Sequence, residues 1–431
     1  MTTIKISRAL PLALAAALAA RGADAQTAVT PRTLGMGGAS VAAARGYESL
    51  FLNPANLGLA GNTRWSVTLM QLTAGAELRG AAFGDLPDLA DVDAVAQARR
   101  DEILAGVPLT GVDAEVDVRV PIAAVQVNRV ALGVSWAGLY RQNLGRDLVD
   151  LVLNGYETGR TNYSVGGTGG TRVSFLDVSA GYGRPVGPLS VGVAAHYLAG
   201  GSLTQSRLFE PEFDLEDEDL SAEYREVYAE GGNGWALDVG VAAEPAPGVT
   251  LSATISNVAT GMSWSEELRT RHVVLHRADF DGDGLEDALG RLDDSAEDVD
   301  AGAVPATVYA TAEGLYDEAY LPATLNAGAA WALAGGRTRL AASYRDVLTA
   351  GRMGGGWQRA AAFGVEQRIP VVTLRAGAAT DLDGRSMLSG GLSLGPLQLG
   401  VARTSGAADG ADGNGWTASF GLSARSPDAL R

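Results

Sequence analysis

The run Asp279-Phe280-Asp281-Gly282-Asp283-Gly284-Leu285-Glu286-Asp287 carries the most specific chemistry in this chain. Asp279, Asp281, Asp283 and Asp287 stand at positions 1, 3, 5 and 9 of a calcium-binding loop. The carbonyl of Leu285 would add a backbone ligand at position 7, and Gly284 at position 6 permits the sharp turn. Oxygen ligands converging on one hard cation would order a loop rather than catalyse a reaction. Gly290 occupies position 12, where a longer loop would place a bidentate Glu.

The other candidates are dispersed. Asp117, Arg119, Asp177, His196, Asp238, Arg339, Glu366 and Arg375 each fall between apolar residues that repeat two apart, so all eight share the parity opposite the apolar face. Such charges either brace something inside a closed structure or line a polar path; bracing is favoured, because a buried charge is costly unless paired. His272 and His276 are four apart and would share a metal only on a helix. A hydrolase would need a serine beside a histidine. Of the three histidines only His196 falls within a strand pattern, and no serine stands out, so no enzymatic activity is expected.

These residues must be positioned by β-strands. Leu176, Val178, Ala180 and Tyr182 alternate with Asp177, Ser179, Gly181 and Gly183, then Gly187-Pro188 turns into Leu189, Val191, Val193, Ala195 and Tyr197. The unit recurs to the end of the chain. Short turns near 128, 187, 246, 335, 369 and 395 alternate with longer segments at 142–171, 206–234, 261–321, 348–356, 380–385 and 404–414. Short turns at one end and long loops at the other predict an all-β, transmembrane antiparallel β-barrel of about 14 strands. A helix-like stretch over 91–104 falls in the first long loop. Trp65, Trp136, Trp235, Trp331, Trp357 and Trp416 share the apolar parity near strand ends, as aromatic girdles at two water interfaces require.

Composition agrees. Lys5 and Arg8, an apolar run over 9–20 and Ala23-Asp24-Ala25 make a signal peptide over 1–25, cleaved before Gln26. With 57 Gly and no Cys in 431 residues, the fold lacks covalent staples. A net charge of -17 argues against nucleic acid as a partner. Much of the acid lies in 210–230 and 279–300, and the tract over 209–230 is expected to be a solvated loop.

The stretch before the first strand holds Gly35-Met36-Gly37-Gly38-Ala39 and then Asn53-Pro54-Ala55. It resembles the N-terminal region of the outer-membrane long-chain fatty acid transporter family and of related 14-stranded barrels, several of unassigned function. That resemblance implies that residues 26–62 form a hatch inside a barrel spanning 63–425, with 426–431 as a periplasmic tail. A segment threading a crowded lumen needs small residues and access to φ > 0, which Gly35, Gly37 and Gly38 provide; Pro54 holds Asn53 in turn geometry. The calcium run in turn resembles the D-x-D-x-D-G-x-x-D loops of integrin-type repeats.

Three functions follow, in order of expectation. The first is hatch-gated transport of small hydrophobic or amphipathic molecules across a bacterial outer membrane, with the lipid bilayer as surroundings. The inward face shows no clear apolar pocket for a fatty acid, which leaves the ligand class open. The second is a sealed barrel presenting calcium-ordered loops to a protein partner in secretion or surface attachment. The third is a calcium-dependent outer-membrane hydrolase that uses His196.

Overall fold

The computed structural model describes residues 30–426 except 86–87, 89–94, 155–166, 209–211, 215–218, 265–268, 277–290, 292–296, 300–303, 318, 355 and 409–410. The signal peptide, the start of the hatch, all five calcium-loop residues, and the tail beyond Ser426 lie outside the described residues.

Strands dominate: β1 Trp65–Arg79, β2 Val112–Val127, β3 Val130–Leu144, β4 Gly169–Val186, β5 Leu189–Leu208, β6 Glu212–Asp214, β7 Asp219–Glu230, β8 Gly232–Ala246 and β9 Val249–Trp264. They continue as β10 Arg269–His276, β11 Glu297–Asp298, β12 Thr324–Leu333, β13 Thr338–Val347, β14 Arg359–Arg368, β15 Val372–Thr380, β16 Arg385–Leu394, β17 Leu397–Ala408 and β18 Ala411–Arg425. Omitting β6, β7, β10 and β11, each strand pairs antiparallel with its neighbour, and β1 pairs with both β2 and β18. The result is a closed 14-stranded transmembrane barrel. Closure pairs both edges of the sheet, which is what permits strands to cross a membrane.

The alternation of β5 shows why the sequence folds this way. Leu189, Val191, Val193, Ala195 and Tyr197 are exposed on the outside, while Ser190, Gly192, Ala194 and Leu198 are buried inside. Apolar residues point outward because the surroundings are hydrocarbon. The expected short turns all join successive strands. The expected loop over 404–414 is instead a continuation of the ladder, with Ala407 opposite Asp412. Strands are taller on one side: β4 and β5 have 18 and 20 residues, whereas β12 to β16 have 9 or 10. About 9–11 residues suffice to cross, so the longer strands project past the membrane at the long-loop end.

There β7 pairs with the upper part of β5 and with β10, extending the wall. The acidic tract is therefore not simply a solvated loop: Ala222, Val227 and Ala229 of β7 are buried. Its alternation was masked by its charge. His272 and His276 lie on β10, so all three histidines are on strands, contrary to expectation. On a strand, residues four apart are about 13 Å apart, too far to share a metal.

Of the six tryptophans expected in the girdles, five face outward. Trp357 is the exception, 1% exposed, packed among Leu34, Ala379 and Met387 with the Arg385 guanidinium 5.4 Å from its ring. It precedes β14, so strand parity does not govern it. The β1–β2 ladder is interrupted: pairing runs to Leu69 opposite Ala123 and resumes at Thr73 opposite Arg119. Met70 has φ 46° in this gap, and Pro121, which has no N–H to donate, lies in the matching gap of β2.

Short helices lie among the strands: α1 Pro31–Gly35, α2 Glu48–Leu52, a 3-10 turn Pro54–Gly58, α3 Gln97–Gly106, α4 Arg146–Asn154 and α5 Ala306–Asp317. The first long loop holds α3, somewhat later than the expected 91–104.

Candidate functional site

Residues 30–63 are almost entirely buried, and they touch strands on opposite sides of the ring. The segment around α1 meets β15 to β18, and the 3-10 turn meets β4, β5, β8 and β9. Only a position inside the lumen satisfies both. The wall opposite it is lined with glycine. A Cβ on Gly364 would lie 2.5 Å from the Met36 carbonyl oxygen, and one on Gly391 would lie 3.0 Å from Gly35 Cα. Gly377 abuts Gly37, which has φ 66° and so cannot readily be another residue.

The Asn53-Pro54-Ala55 turn is an anchor. Asn53 accepts a hydrogen bond from the Ala55 amide at 2.9 Å, which caps the 3-10 turn. Its Nδ2 donates to Ser252 Oγ at 2.7 Å and to the Ala253 carbonyl at 3.0 Å on β9. Ser190 Oγ of β5 donates to the Ala55 carbonyl at 2.6 Å. Beside it, Pro54 and Gly58 press on Gly183 and Gly192. Asn56 Nδ2 donates back to the Val41 carbonyl at 2.8 Å, tying the Gly-rich stretch to the turn.

The eight inward charges divide into two groups. Near the short turns, Glu366 accepts from Arg32 Nε at 2.7 Å and Arg375 Nε at 2.9 Å, with Arg368 at 3.3 Å and Arg339 at 3.6 Å. Arg32 also donates to Glu48 at 2.8 Å. Burial works against the Arg32 charge, but Glu366 and Glu48 outweigh it and hold the guanidinium above its ordinary range. This is the brace expected for part of the set, and it joins barrel wall to luminal segment. A second tie runs from Arg45 Nη2 to Thr250 Oγ1 at 2.8 Å. Sequence reasoning missed Arg32, Arg45 and Glu48. Their signal was three charges in a segment otherwise uncharged.

The second group lies mid-barrel. His196 has Asp177 within 3.1 Å of Nδ1 and Asp238 Oδ2 3.5 Å from Nε2, while Asp117 lies 3.4 Å from Arg119. Asp238 Oδ1 accepts from the Asn257 amide at 2.7 Å. Arg119, Asp177, His196 and Asp238 line a cavity of about 160 Å³. Its floor is Phe51 and Leu52 of α2, and Leu321 and Pro322 close it from the other side. Beyond them α5 buries Val308, Ala312 and Leu315 against Leu139, Phe175, Leu198, Leu203 and Trp264. The cavity thus lies between the luminal segment and an apolar cap. The ring nitrogens of His196 face carboxylates rather than a hydroxyl, which is not the geometry of an activated serine.

No protein-family model and no curated protein sequence matches the chain. Solved structures do. The monoaromatic hydrocarbon channel CymD matches with a TM-score of 0.51 at 15% identity, over 93% of this chain and 98% of that one. The toluene transporter TbuX of Ralstonia pickettii matches with a TM-score of 0.50 at 15% identity, over 92% and 98%. A Pseudomonas aeruginosa FadL homologue gives 0.49 at 13% identity, over 92% and 98%. At these identities the likeness to CymD and TbuX is one of fold.

Proposed function

We propose that this protein is an outer-membrane channel admitting small hydrophobic or amphipathic molecules, with residues 26–62 as a hatch whose movement opens the way inward. The observation that carries the reading is the mid-barrel cavity between the luminal segment and the α5 cap. A porin for polar solutes would need an open aqueous path, whereas here inward glycines close on the plug backbone. Two structures of like fold are a hydrocarbon channel and a toluene transporter, which supports the same class of cargo. In this orientation the short turns are periplasmic and the acidic loops extracellular, where the 279–287 run would bind calcium.

Uptake into proteoliposomes tests the reading, with toluene and a polar solute of similar size such as glycerol. The intact protein is expected to admit toluene and exclude glycerol, and a form lacking residues 27–62 to admit both. If neither form passes either molecule faster than empty vesicles, the transport reading fails. A second reading, a sealed barrel that docks a protein partner, draws support from the β7–β10 extension of the wall; it would then become the better account.

A further inference from the structure

We infer that the luminal cavity selects neutral, single-ring molecules carrying a hydroxyl group over both bare hydrocarbons and organic anions. This deepens the transport reading and rests on it. Size comes first: a cavity of about 150 Å³ accommodates a benzene-sized ligand, and this one measures about 160 Å³. A long acyl chain does not fit unless the hatch or cap moves away.

The lining then sets polarity. Phe51, Leu52, Phe175 and Leu321 offer an apolar bed for a ring. The cations on the lining already have counter-charges, Arg119 in Asp117 and His196 in Asp177 and Asp238. A charged ligand would lose its hydration without gaining an excess of counter-charge, so it is disfavoured. A bare hydrocarbon would leave the polar groups as they are. Among those groups is an unmet one: His196 Nε2 is buried without a hydrogen-bond partner, 3.5 Å from Asp238 Oδ2. A hydroxyl both donates and accepts. Placed beside this pair, it can donate to Asp238 Oδ2 and accept from Nε2–H. Unsatisfied buried groups are the ones for which a matching ligand gains most.

Calorimetric titration of the full-length protein in detergent micelles, referenced to protein-free micelles, tests this with three ligands of one shape: p-cresol, toluene and p-toluate. The native protein is expected to bind p-cresol about fivefold more tightly than toluene, in line with one net hydrogen bond, and p-toluate more weakly than either. His196→Phe should erase the p-cresol advantage, bringing the ratio of p-cresol to toluene affinity to about one. If that variant does not assemble, Asp238→Asn, of the same shape, should shrink the advantage. The inference is overturned if toluene binds native protein as well as p-cresol, if p-toluate binds most tightly, or if the folded variant weakens p-cresol and toluene alike. Toluene and p-cresol entering proteoliposomes at equal rates would remove the selectivity and leave transport standing; no entry of either would remove transport itself.

Discussion

Glu366 gathers four guanidinium groups from three strands and the luminal segment, and it is fully buried. Replacing it with glutamine keeps the shape and removes the charge that Arg32, Arg339, Arg368 and Arg375 share. Breaking a buried pair by neutralising one partner typically costs about 3–5 kcal/mol. Glu366→Gln is therefore expected to lower the urea midpoint of the barrel in micelles and to expose residues 26–62 to protease; an unchanged midpoint would show that the cluster braces nothing. Tyr47 gives a pH dependence at the same scale. Burial, helped by Glu48, pushes its hydroxyl up to about 12 from an ordinary 10. Because the folded-state value is raised, the neutral form is favoured by folding, so the contribution is complete below pH 10 and is lost between pH 10 and 12. The shift corresponds to about 3 kcal/mol. Unfolding curves at pH 9, 10.5 and 12 should show that loss in native protein and a smaller one in Tyr47→Phe. Parity alone identifies Glu366, Arg339 and Arg375 as inward. It cannot identify Arg32, which lies 334 residues from its partner and on no strand.

The strands themselves were legible wherever hydrocarbon lies on one side and the lumen on the other, as in Leu189 to Tyr197. Legibility ended where the two sides become alike. Above the membrane, β4 and β5 continue past the alternating stretch, β17 and β18 run on through the expected loop, and β7 hides its pairing under acidic residues. Trp357 misled for a related reason: it borrows the parity of β14 without belonging to it. The asparagine-proline-alanine turn was legible as a rigid corner, but its hold on Ser252 and Ala253 was not, because strand order around a ring is not written in local sequence. The acidic run over 279–287 is an element of the opposite kind, expected from sequence alone to bind calcium and lying outside the described residues. It should take up one calcium ion by calorimetry and, when loaded, slow proteolysis between residues 277 and 305. A protein with Asp281→Ala and Asp283→Ala that binds calcium as the native protein does would end that reading.

At the scale of the whole molecule the chain is built inside out, with its apolar residues on the exterior and its charges, glycines and hydroxyls within. That arrangement is stable only against hydrocarbon, and it makes the cost of an exterior charge a measure of depth. Val193, 48% exposed, faces outward on β5 between Tyr182 and Val239, about midway between the turn at Gly187 and Tyr197 of the aromatic girdle. Leu189, on the same face, adjoins the turn. An arginine at the bilayer midplane costs about 2–4 kcal/mol and one near the interface about 0–1. Val193→Arg is thus expected to destabilise the barrel in phospholipid vesicles by at least about 2 kcal/mol more than a neutral control such as Val193→Ala, and Leu189→Arg by little. The two should converge in short-chain detergent, whose head groups adapt to a charge at either height. Equal costs at both positions in vesicles would mean that no hydrocarbon belt spans this stretch of the wall. The cavity between plug and cap would then have no membrane to serve.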